Sequence, residues 1–273
     1  MIDTINAREC EYILRRELKC GKTPYETSPY CILHIELPNA YDPQYNKIKS
    51  DKDVKVREMM QNGDFDFEGA ILPKIDLSSY RKLDKTIRFT DAIIKGDIIL
   101  SMLEIDGGLI FTKAIICGNA AFNHVKVHNA RFEGAEIDKD LDFRMAKIGR
   151  KEKVEIGWTE GIACFSRVKV GRDVWFKGAT ICKDVDFTQA SIGRLALFGS
   201  DSDDNVAQIR GSVILKGTIV GEEVKFSERF IDNCPDSMGK AYDTGGFVDF
   251  RRAKISGNVS FIGAKILGDI SFD

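Results

Sequence analysis

What the chain lacks narrows its class first. No run of 18 apolar residues occurs, which excludes an ordinary membrane-spanning helix. Met1-Ile2-Asp3 is not a basic segment leading into an apolar one, so no secretory leader is read there. Neither charge sign dominates. Forty basic residues stand against 42 acidic ones, a net charge of −2, which argues against a general basic nucleic-acid-binding field and against an acidic DNA mimic. Histidine is scarce, at three residues. The seven cysteines are odd in number and scattered, which fits a reducing compartment better than a disulfide framework. The phosphate-binding loop G-x4-G-K-[ST], the dinucleotide fingerprint G-x-G-x-x-G after a long strand, and the nucleophile elbow G-x-S-x-G are all missing. The expectation is a soluble cytoplasmic protein with no cofactor and no catalytic site.

Proline and phenylalanine divide what is there. All 17 phenylalanines lie at or after Phe65, whereas four of the six prolines and five of the seven tyrosines come earlier. Residues 1–64 therefore read as an N-terminal helix and connector, and residues 65–273 as a second region. Over 4–19, Ala7, Cys10, Ile13, Leu14 and Leu18 recur at helical spacing, with Asp3 or Thr4 as cap and Gly21 as stop. Residues 22–64 show little periodicity, and one short strand is expected near 31–37.

From Phe67 onward the chain repeats. Bulky anchors recur mostly every eleven residues, as in Phe89, Leu100, Phe111 and Phe122. Residues 87–100 show the unit: Ile87 and Phe89, Ala92 and Ile94, Gly96-Asp97, then Ile98 and Leu100. Apolar pairs at spacing two predict very short strands with alternate side chains inward. Offsets of this kind scatter around a helical wheel, and strands so short must stack on the next repeat. The result is a parallel β-solenoid of about 22 residues per coil. Gly96, Gly107, Gly118, Gly257 and Gly268 are expected to supply left-handed corners, and Asp97, Asn119, Asp173 and Asp184 side chain–backbone turns. A 22-residue gap between Phe143 and Phe165 is read as a degenerate block near Val154. The polar stretches 199–212 and 229–246 are read as projecting loops.

Pairs such as Ala130-x-Phe132 followed by Ala135-x-Ile137 resemble the pentapeptide-repeat proteins, here with a five-plus-six beat over about residues 65–273. The resemblance implies an all-β, right-handed, parallel four-sided β-helix and no shared enzyme chemistry. Residues 1–64 then serve as a small helical cap on its first coils.

Sites for chemistry are thin. His124 and His128 fall at outward positions. Cys10, Cys20, Cys31 and His34 raise the question of zinc, but spacings of ten and eleven do not match paired C-x2–4-C ligands, so no metal is expected. Cys117 and Cys182 read as surface thiols. Asp142, Asp186 and Asp249 read as solubilising strand-face carboxylates. Two surface features stand out as a candidate interaction surface. Lys126, Lys147 and Lys169, spaced 21 and 22 apart, predict a ladder on one face beside Glu104. Ile93, Ile99, Ile110 and Ile115 predict an apolar outward set on which the N-terminal helix would pack.

The function expected from these features is a non-catalytic scaffold that binds an unknown protein partner, with no direct nucleic-acid contact. Alternatives are an inhibitor or protector of a DNA-binding enzyme such as a topoisomerase by DNA mimicry, a glycan-acting β-helix enzyme, and a soluble module of a larger membrane-attached chain. Phe261 and Phe272 stay in register to the last residues, so the final coil is expected either to pair end to end in a homodimer through Phe261 and Ile270 or to mark a truncation.

Overall fold

A computed structural model describes residues 9–149, 161–199, 207–226 and 246–273, apart from Arg16, Arg210, Gly263, Lys265 and Leu267. From Ile71 to Ser271 the chain winds as a parallel β-helix whose strands are mostly two residues long. Four ladders line its four sides. One climbs from Ile71 through Ile93 and Ile115 to Lys254, and a second from Ile75 through Ile98 and Ala120 to Val259. A third runs from Lys82 through Glu104, Lys126 and Lys147 to Gln208, and a fourth from Ile87 through Leu109 and Ala130 to Ile270. The last two merge into one sheet because the strands Glu104–Ile110 and Lys126–Arg131 continue around a corner.

Burial follows the alternation written in the repeat. Ile87, Phe89, Ala92, Ile94, Ile98 and Leu100 are all fully buried, while Arg88, Ile93 and Ile99 between them are partly exposed. The anchors form two columns. Within a column, rings stack at centroid separations of 4.8–5.5 Å, close to the spacing of neighbouring strands. Between columns, rings meet edge to face, as Phe165 and Phe176 do at 5.5 Å. Offset stacking and edge contacts are the two favourable ring geometries, and the core alternates them.

The corner glycines work differently from the expectation. The left-handed turn residue lies two positions after each anchor and is often not glycine: Asp91, Met102, Lys113 and His124 have φ between 54° and 64°. Gly96, Gly107, Gly118 and Gly257 are not left-handed; a Cβ at any of them would overlap backbone of the preceding coil. Close stacking, not backbone freedom, demands them. The Asx residues also reach between coils. Asn119 N donates to Asp97 Oδ1 at 2.7 Å, Leu195 N to Asp173 Oδ1 at 3.2 Å and Ser212 N to Asp184 Oδ1 at 2.6 Å, which satisfies corner amides outside the ladders.

Two readings of the gaps are corrected. Phe132 stacks on Phe165, and Ala130 pairs with Ala163, 33 residues on. Residues 150–160, which include Val154, lie outside the described residues. Within 199–212, Gln208 and Ile209 pair with Thr180 and Ile181, so part of that stretch is coil rather than loop. Of 229–246, only Gly246 is described.

The N-terminal region is built otherwise than expected. Residues 4–8 lie outside the described residues, and the chain that follows is a hairpin rather than a helix. Ile13 bridges Lys19, Cys20 N donates to Tyr12 O at 2.9 Å and Cys10 N to Lys22 O at 2.9 Å, with Glu17 left-handed in the turn. In place of a strand near 31–37 there is a tight turn, with His34 N and Ile35 N both donating to Cys31 O. The helix of this region is α1 (Tyr45–Gln61), whose buried face comprises Ile48, Lys52, Val56, Met59 and Met60. That face joins Phe65 and Phe67 in one continuous core, so the region caps the first coil. Among the described residues, no helix is long and apolar enough to cross a membrane. At the other end, Phe272 stacks on Phe250 at 5.0 Å and is 62% exposed.

Candidate functional site

Four side chains that the sequence spreads over 25 positions converge in the cap: Cys10, Cys20, Cys31 and His34. The hairpin accounts for the first two. Its turn reverses the chain within ten residues, so Cys20 returns beside Cys10. The turn at residues 31–35 accounts for the others, because its helical curl places Cys31 and His34 on one side. A further backbone bond, Glu11 N to Pro29 O at 2.9 Å, ties the two pieces together.

The donor atoms all lie within 4.8 Å of one another. His34 Nδ1 stands 3.5 Å from Cys10 Sγ and 3.3 Å from Cys31 Sγ, and Cys20 Sγ stands 3.9 Å from Cys31 Sγ. The other ring nitrogen, His34 Nε2, lies 3.0 Å from the Glu68 carbonyl. A carbonyl only accepts, so Nε2 carries the proton and Nδ1 turns its lone pair toward the sulfurs. Tyr12 stacks on the imidazole at 3.9 Å and fixes its plane. Cys31 N donates to Cys10 Sγ at 3.2 Å. Cys10, Cys31 and His34 are buried and Cys20 is half-buried. Burial pushes the Cys20 thiol up to about 12, raises that of Cys31 and lowers His34, so each favours its neutral form.

The turn that carries Cys31 and His34 is held from both sides. Lys52 of α1, fully buried, donates Nζ to the carbonyls of Ile32 at 2.7 Å, Ile35 at 2.8 Å and Leu33 at 3.3 Å. On the rod side, Ile71 N donates to Leu33 O at 2.8 Å. Arg15 of the hairpin pairs with Asp91 one coil further on. The sulfur–imidazole cluster thus sits on the seam between cap and rod.

The expectation of no metal ligands rested on the cysteine spacings alone. The overlooked signal was Cys31-x-x-His34, a ligand pair at a common metal-binding spacing, with the earlier cysteines brought in by a hairpin whose length spacing rules do not capture. His124 and His128 do not join: His124 is exposed in a turn, and His128 Nε2 lies 3.5 Å from Asp106.

The lysine ladder needs correction. Lys126 and Lys147 are register neighbours and Glu104 precedes them, with Lys126 Nζ 3.3 Å from Glu104. Lys169 is on another side, paired with Glu136 and Ser191. The rung beyond Lys147 is Thr180, 33 residues on, and not Lys169. The apolar set also divides. Ile93 and Ile115 stack on one ladder, Ile99 sits on the second and Ile110 on the fourth. Among the described residues the cap does not rest on them as a set: its contacts include Phe65, Phe67, Glu68, Ile71 and, through Arg15, Asp91.

Cys117 and Cys182 are half-buried. The strand-face carboxylates are engaged locally. Asp142 and Asp249 each hold the arginine two residues on, through Arg144 Nη2 at 2.6 Å and Arg251 Nη2 at 2.7 Å, and Asp186 accepts from Thr188 N at 2.8 Å. The Arg251 guanidinium keeps the Asp249 carboxyl below its ordinary range. Comparison of the sequence with protein-family models finds no match, and comparison with curated proteins finds none.

Proposed function

We propose that the chain is a non-catalytic scaffold that recognises another protein along a side of the rod. The parallel β-helix is consistent with such a role, because stacked coils present the same position again and again at fixed spacing. The observation that carries the reading is the pair Ile93–Ile115, two outward side chains in register on one ladder, with Ile115 37% exposed. Adjacent exposed apolar groups cost solvation free energy unless a partner covers them. The third ladder supports the reading against DNA mimicry. Its outward residues Lys82, Glu104, Lys126 and Lys147 are three lysines to one glutamate, whereas a mimic of the phosphate backbone needs a continuous acidic row.

The test pairs two surface variants of the full chain. Ile93→Glu with Ile115→Glu should abolish capture of a partner from native lysate, while Lys82→Glu with Lys126→Glu should leave the same partner bound. Both should keep the wild-type fold, read by circular dichroism, at a lowered denaturant midpoint, because each stacks like charges on adjacent rungs with Glu136 or Glu104. Equal capture by both variants, or inhibition of a topoisomerase in a supercoiling assay, would contradict this reading.

A further inference from the structure

We propose that Cys10, Cys20, Cys31 and His34 form a structural Zn2+ site that ties the N-terminal hairpin to the turn docked on the first coil of the rod. The proposal stands apart from the scaffold reading and rests on four observations that agree. The donor set is three sulfurs and one imidazole, the soft, mixed set that zinc favours over hard cations. The spacing is that of a single ion. A tetrahedral zinc about 2.3 Å from sulfur and about 2.0 Å from nitrogen sets sulfurs about 3.8 Å apart and sulfur and nitrogen about 3.5 Å apart. The cluster shows 3.9 Å for Cys20–Cys31 and 3.5 and 3.3 Å from the two nearer sulfurs to His34 Nδ1.

The surroundings are organised as a ligand's surroundings are. The Glu68 carbonyl fixes the tautomer that leaves Nδ1 free to bind, and the Cys31 amide points at the Cys10 sulfur. The place in the fold gives the ion a task. The hairpin supplies Cys10 and Cys20, the 31–35 turn supplies Cys31 and His34, and Glu68 and Ile71 of the first coil bond to that turn. One ion would therefore crosslink the hairpin to the turn, and the turn in its place bonds to the first coil. With all four positions filled by protein, no coordination site remains for substrate, so the role is structural. Binding releases thiol protons and leaves thiolates on the metal, with no change of oxidation state.

Metal analysis of the full-length chain, purified under reducing conditions from zinc-supplemented medium, tests this. The expected content is about one Zn2+ per chain. Co2+ exchanged into the site should give strong thiolate-to-metal charge-transfer absorption. Cys31→Ser and His34→Ala should each weaken zinc binding by roughly tenfold or more, while His34→Cys should retain the ion. Should those variants fail to fold, the wild type still decides. Zn2+ should protect Cys20 and Cys31 from alkylation, read by mass spectrometry, and leave Cys117 unchanged. A chain that stays zinc-free when offered the ion, equal alkylation with and without zinc, iron in place of zinc, or undiminished zinc in Cys31→Ser would each overturn the proposal.

Discussion

Replacing Phe176 by alanine should lower the free energy of unfolding by about 3–5 kcal/mol, measured by denaturant titration. The ring is fully buried, stacked between Phe143 and Phe198 at 5.5 Å each, and meets Phe165 and Phe187 edge on at 5.5 and 6.0 Å. Losing it removes both the transfer free energy of the ring and its contacts with four neighbours. The cavity cannot close, because coil spacing is fixed by the backbone. Phe143 N donates to Trp175 O and Phe176 N to Leu197 O, both at 2.8 Å. Since a solenoid's stability is a sum over neighbouring coils, a broken central interface should also blunt the cooperativity of the transition. A loss below about 1 kcal/mol would mean that the ring contributes little to the core.

Lys52→Met should destabilise the cap by about 2–4 kcal/mol while leaving the rod folded. Two effects oppose each other. Burial of the ammonium pushes its pKa down to about 8, so its charge is held at a cost that methionine would relieve. That relief is worth about 3 kcal/mol at most, at 1.36 kcal/mol per pKa unit. Against it stand charge-assisted bonds to Ile32, Leu33 and Ile35. Each is worth about 1.5–3 kcal/mol, and their loss strips a donor from buried carbonyls. Three bonds outweigh one desolvation term. Hydrogen exchange should show faster opening over residues 31–61 with unchanged protection in the coils. Wild-type protection throughout would show that Lys52 does not organise the turn.

The rod was legible because its rule is local: an apolar pair every five or six residues is the same instruction at each rung, wherever the coil lies. The errors arose where distant pieces had to be aligned. Counting 22 residues on from Lys147 predicts Lys169 as its ladder neighbour, whereas the register places Thr180 there and Lys169 beside Glu136. Helix α1 was hidden because Lys52 occupies a core position in its apolar stripe. It also lacks a side-chain N-cap and has no acidic first turn or basic last turn. The helix expected at 4–19 failed for the complementary reason: Cys10 and Cys20 answer to each other across a hairpin rather than along a stripe. That hairpin is what assembles the metal-ligating cluster, so the misread element and the unexpected site have one cause.

The most direct test of the coil register is a crosslinking comparison across the break in the repeat. Lys147→Cys combined with Thr180→Cys places two thiols on adjacent rungs of one ladder, and a short bifunctional thiol reagent should join them. Lys147→Cys combined with Lys169→Cys keeps the 22-residue spacing but puts the thiols on different sides of the rod. Mass spectrometry of the digested products should find the 147–180 link and no 147–169 link. The reverse pattern would contradict the stacking of the coils described above.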